Sequence, residues 1–477
     1  MDISNSGPGR GMSLLARLLA VAGGAVAGLL LGAVVIDEPI SLVVIAGLPV
    51  VALGVYVFWR ALTGDRAMIM LVFVIGVFLL DAVFRTRSYS EKSVDFQVII
   101  KLASWAALLA LAAVNFGGML KHVFSGARLP WTAFFAWLLM STLLSPNVGY
   151  SIVIAMSLIS FYLFLAAIIT RFTTEQILVG VLVACILMAI ASLVVYVAVP
   201  GLGRTKVWQG GVQVISGRLA GLAGNANAIG RICCLGILIC VLIWPHLRRM
   251  ARFLPHACLG LLVLTLLLSN SRTSMFVTGL VIAIHLFARG RNFHLMIMGL
   301  CGLLLLLMAA IPFSEAIMIA MSRSGRAEEI ATGTNRTLIW HVVGLLGWQK
   351  PLTGWGYGST IFVMPLYERF MGHAAPHAHN IILQLWVSTG MIGVALFVTA
   401  FMSRLVAALA QNDRVVVSLL LFVAFNGLTE SSAFAGMANI ASVALVLAAV
   451  TQTRVVAVPA ALKPAKRQDR VRPASSR

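Results

Sequence analysis

Charge is what this sequence has least of: charged residues make up 10% of its 477 positions, where a soluble domain carries roughly 25%. So little polar surface cannot face water on all sides, and lipid is the solvent that suits it. Acid is scarcer still, with 15 Asp and Glu against 35 Lys and Arg and a net charge of +20. The basic residues stand singly between apolar runs instead of forming a patch. That pattern speaks against nucleic acid as a partner and has the form of membrane topology signals. The six cysteines (Cys185, Cys233, Cys234, Cys240, Cys258, Cys301) all fall inside apolar runs. They show no metal-type spacing and read as small hydrophobes. No GxxxxGK[ST] phosphate loop and no paired-aspartate DxD element occurs, which argues against an ATP-driven or nucleotide-sugar enzyme.

What is abundant is apolar sequence, at 60% of the chain. A bilayer-crossing helix needs roughly 20 such residues. On that rule spans are expected near 14–36, 40–59, 67–84, 98–117, 131–145, 151–170 and 177–199. A second set is expected near 226–245, 253–270, 273–288, 293–313, 380–403, 415–431 and 435–453. The first of these, following Arg10 and Arg17, shows no small-residue cleavage site and reads as a retained span. The expected fold is therefore all-α: a polytopic integral membrane protein of about fourteen transmembrane helices. The expected segments are transmembrane helices over 1–313, a long loop over 314–379, further helices over 380–453 and a basic tail over 454–477.

Most lysines and arginines, including Arg60, Arg66, Arg128, Arg171, Arg248, Arg249, Arg404 and those of the tail, fall on one side of these spans. The positive-inside rule makes that side cytoplasmic, with both termini inside. The remainder, among them Arg204, Arg218, Arg231, Arg272 and Arg336, lie on the outer side with few acids, Glu430 and Asp81 at its margin. Arginine at that rim suits an anionic ligand, because its planar fork donates two parallel hydrogen bonds and stays charged. Snorkelling to lipid headgroups is the alternative for any one of them.

Three outer segments combine residues that carry chemistry. Ser216–Asn227 leads into a helix start, where free N–H groups beside Arg218, Asn225, Asn227 and Arg231 would cradle phosphate. Ser269-Asn270-Ser271-Arg272 is a polar tetrad between two apolar helices. The loop from Ser314 to Ala378 is long enough to be functional. Within it a surface helix is expected from Thr334 or Asn335 to Trp348, with Leu338, Ile339, Val342, Leu345 and Leu346 on one side. A glycine-rich turn follows at 351–358, and the loop ends in His373, His377, His379 and Asn380. Three histidines within seven residues invite zinc, but Pro376 breaks any helix that would align them and Glu368 is the nearest acid. No metal and no cofactor is expected. A histidine beside an arginine-rich anion site is instead a candidate general base.

Together these segments resemble the O-antigen ligase and polymerase superfamily of bacterial polysaccharide assembly. His379-Asn380, nine residues, then Gly390-Met391-Ile392-Gly393 is similar to the ligase motif. Arg218 before the Asn225/Asn227 helix start, Arg272 in its tetrad, Arg336-x-x-x-Trp340 and Pro351-x-x-Gly354-x-Gly356 extend the likeness over roughly 214–394. The resemblance implies a metal-independent, inverting glycosyltransferase of the bacterial inner membrane with its active site on the periplasmic face. Its donor would be an undecaprenyl-pyrophosphate-linked glycan, its acceptor a glycan or glycolipid, with other polysaccharide assembly proteins as partners. By this likeness Arg218 and Arg272 grip the pyrophosphate and His379 takes the acceptor proton. Arg336, Asn225, Asn227, Arg231, His377 and Asn380 are further candidates for substrate contact. Span count leans toward a repeat-unit polymerase over an O-antigen ligase acting on lipid A-core. A flippase or transporter for the same lipid-linked oligosaccharide, or a purely structural subunit, would share the many spans but not need the histidine-arginine set.

Overall fold

A computed structural model describes residues 52–85, 95–209, 212–289, 336–371 and 375–451. The expected spans 14–36 and 293–313, most of 40–59, the loop residues 314–335, His373 and the basic tail lie outside them. The described residues are mostly helical: α1 (Ala52–Leu62), α2 (Arg66–Asp81), α3 (Phe96–Val114), α4 (Phe116–Val123), α5 (Leu129–Ser141), α6 (Val148–Ile168) and α7 (Thr174–Ala198) come first. After a two-stranded hairpin follow α8 (Ala226–Leu242), α9 (Trp244–Met250), α10 (Leu254–Ser269), α11 (Arg272–Arg289) and α12 (Arg336–Gln349). The last three are α13 (Ile381–Ala410), α14 (Arg414–Thr429) and α15 (Ile440–Val450).

Helices α3, α6, α7 and α13 are each long and apolar enough to cross a membrane, and α8 with α9 makes a fifth candidate bent by 77°. Six others are shorter apolar helices of 10–17 residues. The count of about fourteen spans is therefore not reached among the described residues by length alone.

The hairpin corrects the all-α expectation. Strands β1 (Arg204–Gln209) and β2 (Val212–Leu219) pair antiparallel, with Lys206 opposite Ile215 and Arg204 opposite Leu219. It projects beyond α7, held there by Tyr196, whose hydroxyl donates to the Gly217 carbonyl at 2.8 Å. The guanidinium of Arg204 lies over the same tyrosine ring.

At the centre stands α15, whose eleven residues are all buried. A helix apolar all round must be enclosed, and α6, α8 and α14 enclose it. Both ends are tied. Asn439 caps the first turn with a reciprocal capping box, and the Ile440 amide donates to Asp81 at 2.7 Å. At the other end Arg404 donates to the Ala448 carbonyl at 2.8 Å and also to Thr451, while Arg128 reaches the Val450 carbonyl. Cations at a helix C-terminus satisfy orphan carbonyls and the dipole together. Arg128 and Arg404, expected among the cytoplasmic topology signals, are thus buried as caps.

The segment from 336 onward is less of a loop than its sequence suggests. Ile339, Val342, Val343 and Leu346 of α12 form an apolar cluster with Val363, Met364, Met371, Ala378 and, from α13, Val387. The helix has its expected span, but its buried stripe includes Val343, while Leu338 and Leu345 face outward. Helix α13 breaks at Gly390, whose φ of 68° is left-handed. The freed amides of Met391 and Ile392 donate to the carbonyls of Pro351 and Leu352, at 2.8 and 3.2 Å. The Trp355 amide in turn donates to Val387 at 2.8 Å. Groups exposed by a helix break must find partners, and the glycine-rich turn supplies them.

Candidate active site

The three polar segments meet at one end of the bundle, opposite to the end where Arg404 and Arg128 cap α15. The reason is topological: α8, α11, α12 and α13 all begin there, and α10 and α14 end there. Arg272 is the first residue of α11 and Arg336 the first of α12. Asn225 caps α8 by accepting from the Asn227 amide at 2.7 Å. Asn380 caps α13 by accepting from Ile382 and Leu383, and its own amide donates to the Leu428 carbonyl at 3.2 Å. These two asparagines, candidates for substrate contact, are engaged in building helix starts.

Arg218 comes to the tetrad from β2. Its Nε donates to the Ser269 carbonyl at 3.2 Å and its Nη2 to that of Asn270, also at 3.2 Å. Asn270 is left-handed (φ 47°), which turns the chain from α10 into α11. Arg218 and Arg272 therefore sit on either side of one turn, Arg272 half-buried and without an ion-pair partner among the described residues. From the tetrad, Ser271 Oγ donates to Asn227 Oδ1 at 3.4 Å, and Asn227 Nδ2 donates to Glu430 Oε1 at 3.4 Å.

Glu430, just past α14, is the residue that sequence reasoning missed. Its side chain is 9% exposed, and Arg231 Nη1 (3.7 Å), Arg336 Nη2 (3.5 Å) and His379 Nδ1 (3.5 Å) all approach its carboxylate. The histidine contact has ion-pair distance without hydrogen-bond alignment. Burial pushes the Glu430 carboxyl up, but the close approach of His379 and the charges of Arg231 and Arg336 outweigh it, holding it down at about 2. The signal was faint: an acid on the arginine-rich rim where acids are few.

The histidine segment is held at its middle. Ala378 is fully buried; its amide donates to Gln384 Oε1 at 2.9 Å, and its carbonyl accepts from Trp340 Nε1 at 3.0 Å. His377 and His379 flank this point with ring centroids 4.3 Å apart. One pinned residue thereby fixes both neighbouring histidines, His377 beside Pro376 included. His379 is left-handed (φ 50°), a strained state for a non-glycine residue that surrounding packing must impose. Desolvation, then the neighbouring His379, pushes His377 down to about 4 against the pull of Glu430, with Arg231 and Arg336 adding to the fall. His377 is neutral at ordinary pH. Among the described residues no group of three His, Cys, Asp or Glu is placed to hold a metal.

Residues 257–398 match the family model described as O-antigen ligase. That interval holds Arg272, Arg336, His377, His379, Asn380 and the Gly390/Gly393 pair. It supports placing the chain's resemblance in the O-antigen ligase and polymerase superfamily. Arg218, Asn227 and Arg231 before it, and Glu430 after it, join the same cluster by folding. No curated protein matches the chain.

Proposed function

We propose that this chain, matching the O-antigen ligase family over 257–398, is a membrane glycosyltransferase. It moves a glycan from undecaprenyl pyrophosphate to a sugar hydroxyl on the periplasmic face of the inner membrane. The observation that carries the reading is the cluster itself: His379, Arg218, Asn227, Arg231, Arg272 and Arg336 come together at one end of a bundle of largely apolar helices.

In this reading Arg218 and Arg272 hold the pyrophosphate at the α10–α11 turn. An acceptor hydroxyl attacks the anomeric carbon from the face opposite the phosphate, so configuration inverts. As the new C–O bond forms, the sugar–phosphate bond breaks and the electron pair stays with the lipid pyrophosphate, whose growing charge the arginines stabilise. The acceptor proton passes to the imidazole of His379, which must be neutral to receive it. No metal enters the scheme, because arginine supplies the countercharge.

Two observations support transfer over transport. The polar cluster sits at helix ends, and the freed amides at the break in α13 are already taken by Pro351 and Leu352 instead of facing a substrate path. The acceptor divides the remaining forms of the reading. A repeat-unit polymerase extends one lipid-linked glycan with another, whereas an O-antigen ligase requires lipid A-core.

The test is transfer by purified protein from an undecaprenyl-pyrophosphate-linked glycan, with each acceptor in turn. His379→Ala is expected to lower transfer by about 10²- to 10⁴-fold, the span of general-base catalysis, while donor binding survives. Normal transfer by His379→Ala would overturn the assignment of the base. No transfer by the unaltered protein to either acceptor would overturn the function.

A further inference from the structure

Glu430 touches four polar side chains from three other parts of the chain, yet the transfer reaction as written gives it no task. Its own basicity excludes one role. A carboxylate held at about 2 is too weak a base to take a proton from a sugar hydroxyl, since an effective base titrates near the working pH. Nor does it suit the donor, because an anion beside a pyrophosphate repels it. What remains is its effect on its neighbours. It lies against the Nδ1 edge of His379, and a carboxylate there keeps the proton on Nδ1, leaving Nε2 as the lone-pair nitrogen. One of its oxygens is shared by Arg336 and Asn227, the other by His379 and Arg231. The two cations are thereby held at the carboxylate that also meets the imidazole.

We propose that Glu430 is the positioning residue of the transfer reaction, orienting His379 through Nδ1 so that Nε2 faces the acceptor. It also stabilises the imidazolium that forms when the acceptor proton arrives, which an uncharged neighbour would not do. This rests on the reading of His379 as acceptor base.

The same geometry specifies a signature that packing alone would not produce. The titratable and charged groups gathered around the imidazole are Glu430 and His377, which touch it, and Arg231 and Arg336, which meet it at the shared carboxylate. Of these only Glu430 favours a charged imidazole; both arginines oppose it. Replacing the carboxylate by an amide of the same shape removes the favourable charge. The acid limb of the pH–rate profile, where the base loses its lone pair, then moves to lower pH while the maximal rate falls.

The experiment uses the full-length protein in lipid nanodiscs with an undecaprenyl-pyrophosphate-linked glycan, following transfer against pH for Glu430→Gln and Glu430→Asp. Glu430→Gln is expected to lose about a hundredfold in maximal rate, with an acid limb shifted downward by about one pH unit. Glu430→Asp, which retains the charge, should recover part of the rate and keep the original limb. In a His379→Ala background, Glu430→Gln should cost little more, because the two act as one unit. An unshifted limb, an equal loss in both backgrounds, or failure of both Glu430 variants to fold would each overturn the proposal. Should His379→Ala itself transfer normally, the underlying base assignment fails instead, and the two failures are distinct.

Discussion

Gly354 and Gly390 meet backbone to backbone: a Cβ at 354 would lie 2.6 Å from the Gly390 amide nitrogen. Both have a φ of 68°, the left-handed region in which a side chain is strained. The contact is where the glycine-rich turn plugs the break in α13, ten residues after the His379–Asn380 entrance. Gly390→Ala would drive its new carbon into the Leu352 carbonyl and the Thr353 amide nitrogen. We expect a loss of at least about 2 kcal/mol in stability, by strain and clash together. A thermal unfolding midpoint in detergent equal to that of the unaltered protein would show that the plug is dispensable.

The arginines at the α10–α11 turn are separable from headgroup anchors by substitution with lysine. Lysine keeps the charge and can still snorkel, but loses the planar fork. Arg272→Lys and Arg218→Lys should each slow transfer on the order of a hundredfold, about 2.7 kcal/mol of transition-state stabilisation. Turnover within twofold of normal in both variants, at equal protein level, would assign these side chains to lipid.

His377 and His379 are held equally well, so their roles must differ by environment. His377 does not lie in ion-pair contact with Glu430, and its ring lies tilted by 51° against that of His379. His377→Ala is therefore expected to cost no more than about tenfold in transfer, well below a general base's share. The measurement is single-turnover transfer by each variant. A His377→Ala protein as inactive as His379→Ala would exchange the two assignments.

Acid should unfold this protein in two stages. A free histidine titrates at 6.5 and a free glutamate at 4.5, whereas in the fold His377 lies at about 4 and Glu430 at about 2. Between each pair of values the unfolded chain binds more protons, so lowering pH favours unfolding. The His377 contribution is complete above pH 6.5 and is lost as pH falls toward 4. That of Glu430 is complete above 4.5 and is lost toward 2. The unfolding midpoint is expected to be flat above pH 6.5 and to decline below it, with Glu430→Gln removing the lower stage. A midpoint that rises on acidification would contradict both shifts.

Much of the helix layout was legible because its causes are local. An apolar run of sufficient length must be helical in lipid, and caps such as Asn225, Asn380 and Asn439 stand immediately before the turns they complete. The hairpin was not read, since its alternation is short and was absorbed into a phosphate-binding segment. The histidine-arginine motif was legible in its parts: Arg218, Arg272, Arg336 and His379 do converge on one end of the bundle.

Glu430 was not legible as the carboxylate that Arg231, Arg336 and His379 share, for a physical reason. It is a single acid between two apolar helices, and its partner Asn227 lies 203 residues away in the chain. Residue type and order determined that this chain is helical, apolar and armed with basic groups on one rim. Which carboxylate those groups share, and that Ala378 pins both histidines, depends on how α8, α12, α13 and α14 bring their ends together. Only close packing in three dimensions decides that, because ion pairing depends on distance in space and no local propensity encodes it.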